Sequence, residues 1–148
     1  MNEFAKFLHL ASAIIWLGGM AFVLAALRPA ATTLLPPPLR LPLLARALSR
    51  FFMLVWVCIA LLLATGSYWL ASVGMKAAPL GWHLMLGAGL LMCLIFAHIY
   101  FGPFRRLKAA VLASDWPEGG RRAGQIATLV MINFVLGWLA VAAVVFFR

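Results

Sequence analysis

Four long apolar runs alternate with shorter polar breaks along the chain, at about Phe4 to Leu27, Phe51 to Val73, Leu80 to Phe101 and Ile126 to Phe147. Each reaches the roughly 20 apolar residues that a helix needs to cross the hydrocarbon core of a bilayer. Lipid offers no hydrogen-bond partners, so backbone N–H and C=O groups must pair within each segment. The pattern therefore predicts an all-α fold, a four-helix transmembrane bundle built as one domain over 1–148. Between the runs, Pro36, Pro37, Pro38 and Pro42 predict a stiff connection that is not helical throughout. Lys76 to Pro79 reads as a tight turn. Ser114 to Gly120 breaks the segment after the third run, with Trp116 as an interfacial anchor.

Composition supports this picture: 66% of the 148 residues are hydrophobic and 10% are charged, against about a quarter charged in a soluble domain. The first run carries Glu3, Lys6 and His9 and is too long for the apolar core of a signal peptide. It is expected to remain as the first span. Cys58 and Cys93 both fall inside runs, which excludes a secreted disulfide framework.

The net charge of +9 acquires meaning from its placement. Arg28, Arg40, Arg46 and Arg50 lie between the first two runs, and Arg105, Arg106, Lys108, Arg121 and Arg122 between the last two. Only Lys6, Lys76 and Arg148 lie on the other side. The positive-inside rule then gives N-out, C-out topology, with both longer loops cytoplasmic. The reading is a multi-pass protein of the bacterial inner (cytoplasmic) membrane, with the lipid bilayer as its partner and a homo-oligomer left open. The arginines set topology and meet anionic headgroups, and a nucleic-acid partner is not expected.

Candidate chemistry is concentrated in three histidines, because ionisable groups inside a membrane are functional candidates by default. At about 1.5 Å per residue, His9 lies roughly 8 Å and His83 roughly 5 Å from the outer end, on different helices. That placement predicts a metal ion or haem iron held between them. His98 follows His83 by about 22 Å on the same helix, near the cytoplasmic end. His9, Trp16 and Met20 share one face of the first span, and Gly18 and Gly19 beside them admit close approach of a helix or a flat ligand. Met75 and Met85 are thioethers near the outer end. Cys58, Cys93 and Asn133 fall at one common depth on three helices, where soft ligands would suit Cu(I). Each has a plainer reading: Trp16, Met20 and the cysteines as packing residues, Asn133 as an interhelical hydrogen bond, His83 beside Trp82 and His98 beside Tyr100 as interfacial side chains. Nucleotide-binding loops and zinc-protease motifs are absent. Glu3, Asp115 and Glu118, the only acids, lie at loops or ends, so a carboxylate proton relay has no residues to run on.

Leu8-His9 followed by Trp16-Leu17-Gly18-Gly19 and Phe22, Arg50-Phe51-Phe52 leading to Thr65-Gly66, and Asn133 with Gly137 together resemble the copper-resistance protein D (CopD) family. The resemblance implies movement of copper across the bacterial inner membrane. His9, Trp16 and Gly19, and His98, Gly102, Arg105 and Arg106, are also similar to the HemJ-type four-helix proteins, which bind haem b. The chain departs from that group where Met85 or Gly87 stands for an early lysine and where an Asn-Glu-x-Pro element is missing. Those departures speak against protoporphyrinogen oxidation and leave haem binding open.

The leading expectation is copper binding and translocation by His9 and His83 near the periplasmic face. His98, Trp16, Met20, Met85, Cys58, Cys93 and Asn133 would support it, with a periplasmic copper-binding protein as a partner. The alternative is a haem b protein with bis-histidine ligation by His9 and His83, a haem-dependent oxidoreductase linked to a quinone. The third is a non-catalytic accessory subunit. The balance favours a protein that is not an enzyme.

Overall fold

The computed structural model describes residues 2–147; Arg148, counted above with the outer charges, lies outside them. Helix α1 spans Glu3–Phe22, and the Asn2 side chain caps it by accepting the Phe4 N–H at 3.0 Å. It does not end where the apolar run ends. A π turn, Val23–Leu27, carries it into α2, Arg28–Leu34. Pro29 explains the wide turn. It has no N–H, and its ring crowds the carbonyl four residues back. The ladder is rerouted, with the Arg28 N–H donating to the Val23 carbonyl five residues earlier.

Helix α3 runs Pro37–Val73, so the proline-rich connection is helical from Pro37 onward, and the expected break narrows to Leu35 and Pro36. Pro37 and Pro38 occupy the first turn, where N–H groups have no intrahelical partner and their loss costs little. The Pro36 carbonyl accepts the Leu39 and Arg40 N–H groups at 3.0 and 2.9 Å. Pro42 then sits inside the helix, close to its start. At the far end Gly74 terminates α3 with φ +84°, a left-handed conformation that glycine adopts without a Cβ penalty.

Helix α4, Leu80–Phe101, stops at Gly102, and Pro103 opens the short helix α5, Pro103–Leu112. Helix α6 spans Trp116–Phe146. The expected break at Ser114 to Gly120 is thus confined to the residues before Trp116. Asp115 caps α6 by accepting the Glu118 N–H, and Pro117 sits in its first turn. Glu118 accepts from Arg122 at 2.7 Å and from Arg121 at 2.9 Å. These guanidiniums, Arg122 foremost, hold its carboxyl below the usual carboxylate range. A carboxylate depressed in the folded state contributes stability above its unfolded value of about 4.3 and loses it as pH falls through the folded value. A shallow acid-side decline in Tm is expected, and Glu118→Gln should flatten it; identical pH profiles would show that the pairing does not matter.

Helical segments of 32, 37, 33 and 31 residues, Glu3–Leu34, Pro37–Val73, Leu80–Leu112 (interrupted at Gly102) and Trp116–Phe146, are each long and apolar enough to cross a membrane. The chain is a multi-pass, four-helix membrane protein. Helix α1 packs on α3 and α6, and α4 packs chiefly on α6. No residue of α1 lies within 8 Å, Cα to Cα, of α4, so these two helices sit across the bundle from each other. The start of α4 meets the end of α6, where the Gly81 N–H donates to the Phe147 carbonyl at 2.9 Å. This end of the bundle, with the Gly74–Pro79 turn and the outer tips of all four rods, is the terminal end; the opposite one is the loop end.

The core is aromatic toward the loop end. Phe52 is 2% exposed, and its ring centroid lies 5.3 Å from Phe96 and 4.9 Å from Phe104, both edge-on. Large apolar side chains such as Phe4, Ile14, Met53 and Leu94 face outward, as expected where the surroundings are lipid.

Candidate functional site

At the terminal end, His9 on α1 faces α3 and is half-buried. Its Nδ1 lies 2.7 Å from Thr65 Oγ1. Thr65 Oγ1 in turn donates to the Leu61 carbonyl at 2.7 Å. A hydroxyl has one proton, and here it is already committed, so Thr65 can only accept from the imidazole. In that pairing a neutral ring carries its proton on Nδ1, the tautomer that presents the Nε2 lone pair. The Trp69 indole, one turn beyond Thr65, flanks the ring at a centroid distance of 5.0 Å and an interplanar angle of 42°. Its buried Nε1–H has no hydrogen-bond partner. Gly66 lies on the same side of α3, where a Cβ would stand 3.8 Å from His9 Cε1, in ordinary contact. An open cavity of about 230 Å³, lined in part by Ala5, Leu8, Thr65 and Tyr68, lies between the two helices.

This is the arrangement by which proteins prepare a histidine for a metal: one ring nitrogen fixed by a neighbouring acceptor, the other presented as ligand. Thr65 and Trp69 as partners of His9 were not singled out from the sequence. A hydroxyl within an apolar run, four residues from a tryptophan and at a depth similar to His9, was the available signal.

His83 sits in the first turns of α4, half-buried. Its Nδ1 donates to the Pro79 carbonyl at 3.2 Å, so its Nε2 is also left open. The structure turns His9 toward α3, while α4 packs chiefly on α6. His98, in the last turn of α4, is exposed, and its carbonyl accepts the Gly102 N–H that ends the helix. Among the described residues no three His, Cys, Asp or Glu side chains cluster to hold a metal ion.

Trp16 and Met20 lie in the packed core. Trp16 is 4% exposed and meets Phe96 edge-on, and Met20 is 2% exposed in the core. The space beside Gly19, expected to admit a helix or a flat ligand, is filled by the Phe51 ring. The face expected to line a haem macrocycle is thus occupied by protein side chains, and these residues do not fit that group. Gly18 remains open. Met85 is half-buried on α4, and Met75 is exposed in the turn. Cys58 is buried and Cys93 half-buried, both free thiols. Asn133 is 1% exposed; its Nδ2 donates to the Met92 carbonyl at 3.2 Å, and its Oδ1 is unpartnered. Gly137, one turn on, lets Leu17 of α1 press against α6.

A family model described as copper resistance protein D matches residues 45–147. The matched stretch covers most of α3 and all of α4, α5 and α6, including Thr65, Trp69, His83, Asn133 and Gly137, and α1 precedes it. No curated protein and no solved structure gives a significant match.

Proposed function

The chain belongs to the copper resistance protein D family, and from that membership and the state of His9 we propose that it binds and translocates copper. The cargo is captured at the terminal end of the bundle, which the arginine distribution turns toward the periplasm of a bacterial inner membrane. The observation that supports this reading is the imidazole held through its Nδ1 by Thr65, a residue that also lines the neighbouring cleft between α1 and α3. Imidazole and thioether ligands accept copper well and hard cations poorly. His83, the second imidazole at this end with an open Nε2, and the thioethers of Met75 and Met85 are the proposed further ligands. Ligands from separate helices that do not close into a rigid cage suit an ion that must be released again. Cys58, Cys93, Met20 and finally His98 are the proposed stations toward the loop end, with Asn133 lining the route through its unpartnered Oδ1.

Titration of the purified, metal-free protein with Cu(I), or with Ag(I) as a redox-inert substitute, tests the reading through thermal unfolding. An ion that binds only the folded state stabilises it by about 2.7 kcal/mol at a hundred times its Kd. A concentration-dependent rise in Tm with Cu(I), and none with Mg(II), is expected. Absence of any shift across the accessible copper range would remove the proposal.

A further inference from the structure

Nine cations gather at the loop end, and only two acids accompany them there. Both acids are engaged: Asp115 caps α6, and Glu118 holds Arg121 and Arg122. Arg28 and Arg40 form no ion pair among the described residues. The π turn ahead of Pro29 keeps α1 and α2 one continuous rod, which carries Arg28 about 37 Å from its start, past the roughly 30 Å hydrocarbon core. Arg40 lies in the opening turn of α3. The two side chains line a single cleft of about 110 Å³, with Leu41 of α3 and Gly120 and Ala123 of α6 among its walls. The Arg28 guanidinium extends over α6, its Nη2 4.0 Å from where a Cβ on Gly124 would stand. A Cβ on Gly120 would meet nothing within 4 Å, so the cleft is open there.

We propose that the cleft between α2, α3 and the start of α6 binds a phosphate group, with Arg28 and Arg40 as its two guanidinium ligands. Cations at the edge of a low-dielectric region are costly without a counter-ion, and the chain's own acids at this end are already committed. The Thr32 hydroxyl in the wall is committed too, donating to the Arg28 carbonyl at 2.8 Å, so the arginines supply the recognition. Guanidinium forks match the paired oxygens of a phosphate, and the two non-bridging oxygens of a phosphodiester, each with more than one lone pair, can accept from both arginines. At this depth two sources present that chemistry: the headgroup of an anionic lipid in the facing leaflet and a soluble phosphate.

The test uses the full chain in phosphatidylcholine nanodiscs, with phosphatidylglycerol added in steps and unfolding followed by Tm. Wild type is expected to gain several degrees at saturation. Arg28→Gln/Arg40→Gln should weaken the apparent lipid affinity at least about tenfold, as loss of charge-assisted hydrogen bonds implies. Arg105→Gln/Arg106→Gln, which removes two exposed cations from α5, should respond like wild type. Gly120→Leu keeps both arginines and fills the cleft, and it should also lose the response; it covers the case in which the charge variants fail to fold. Inorganic phosphate added to pure phosphatidylcholine discs separates the sources: no rise assigns the lipid headgroup, and a rise abolished by the same variants assigns a soluble phosphate. Undiminished lipid response in both the Arg28/Arg40 variant and Gly120→Leu, or equal loss in the α5 variant, overturns the proposal.

Discussion

Replacing His9 with alanine is expected to abolish copper-dependent stabilisation, and replacing Thr65 with valine to weaken copper affinity roughly 10–100-fold, the usual cost of losing the group that orients a metal-binding histidine. The two substitutions act on different atoms. His9→Ala removes the ligand. Thr65→Val keeps a β-branched side chain of similar volume but deletes the oxygen that accepts the Nδ1 proton at 2.7 Å. The imidazole is then free to adopt either tautomer and to turn away from α3, while the Leu61 carbonyl keeps its bond within the helix. Thr65→Ser restores the hydroxyl and should recover most of the affinity. Silver or copper titrations of the four proteins, each with its own metal-free Tm as reference, separate loss of ligand from loss of fold. Copper binding by His9→Ala at wild-type strength would move the site elsewhere, with His83 the first alternative. Wild-type affinity in Thr65→Val would show that the hydroxyl does not hold the ring.

His9 was legible in the sequence because an imidazole inside an apolar run needs a partner, and rise per residue places it near one end. Its partner was not legible, because depth and face do not say which helix stands beside which. Rise per residue sets His9 and His83 at similar levels, but α1 and α4 lie across the bundle from each other, and the polar group that meets His9 belongs to α3. Gly19 shows the same limit. A glycine signals that something approaches closely, and only the packed structure identifies the Phe51 ring as the thing that does. The apolar runs located the four spans well, since lipid enforces their length and helicity together. They located helix ends less well at the loop end, where hydropathy falls before the helix does. Pro37 and Pro38 were read as breakers, but the first turn of a helix tolerates proline. Arg28 and Arg40 were read for topology and for general contact with anionic headgroups, not as a pair sharing one cleft. Their shared cleft depends on the π turn at Val23–Leu27 and on the docking of α6, which no local pattern in either segment announces.

Phe52→Ala is expected to be the most damaging single truncation in the scaffold. The ring is 2% exposed and joins α3 to α4 and α5 through Phe96, Tyr100 and Phe104. Burying a phenylalanine and then truncating it costs about 3–5 kcal/mol in soluble cores. Helices separating in lipid expose little surface to water, so the transfer part of that cost shrinks and the lost packing contacts remain. A loss near 3 kcal/mol is the consequent expectation, read as a marked fall in Tm, with Phe52→Leu recovering a large part. An unchanged Tm would mean that the aromatic cluster does not hold the loop end together. The same variant also separates scaffold from site. Phe52 and Thr65 are thirteen residues apart on α3, about 20 Å along the helix, so copper affinity per folded molecule should survive the substitution. Joint loss of stability and affinity would instead mean that the His9 pocket depends on the aromatic core for its shape, and that the two ends of the bundle move as one unit.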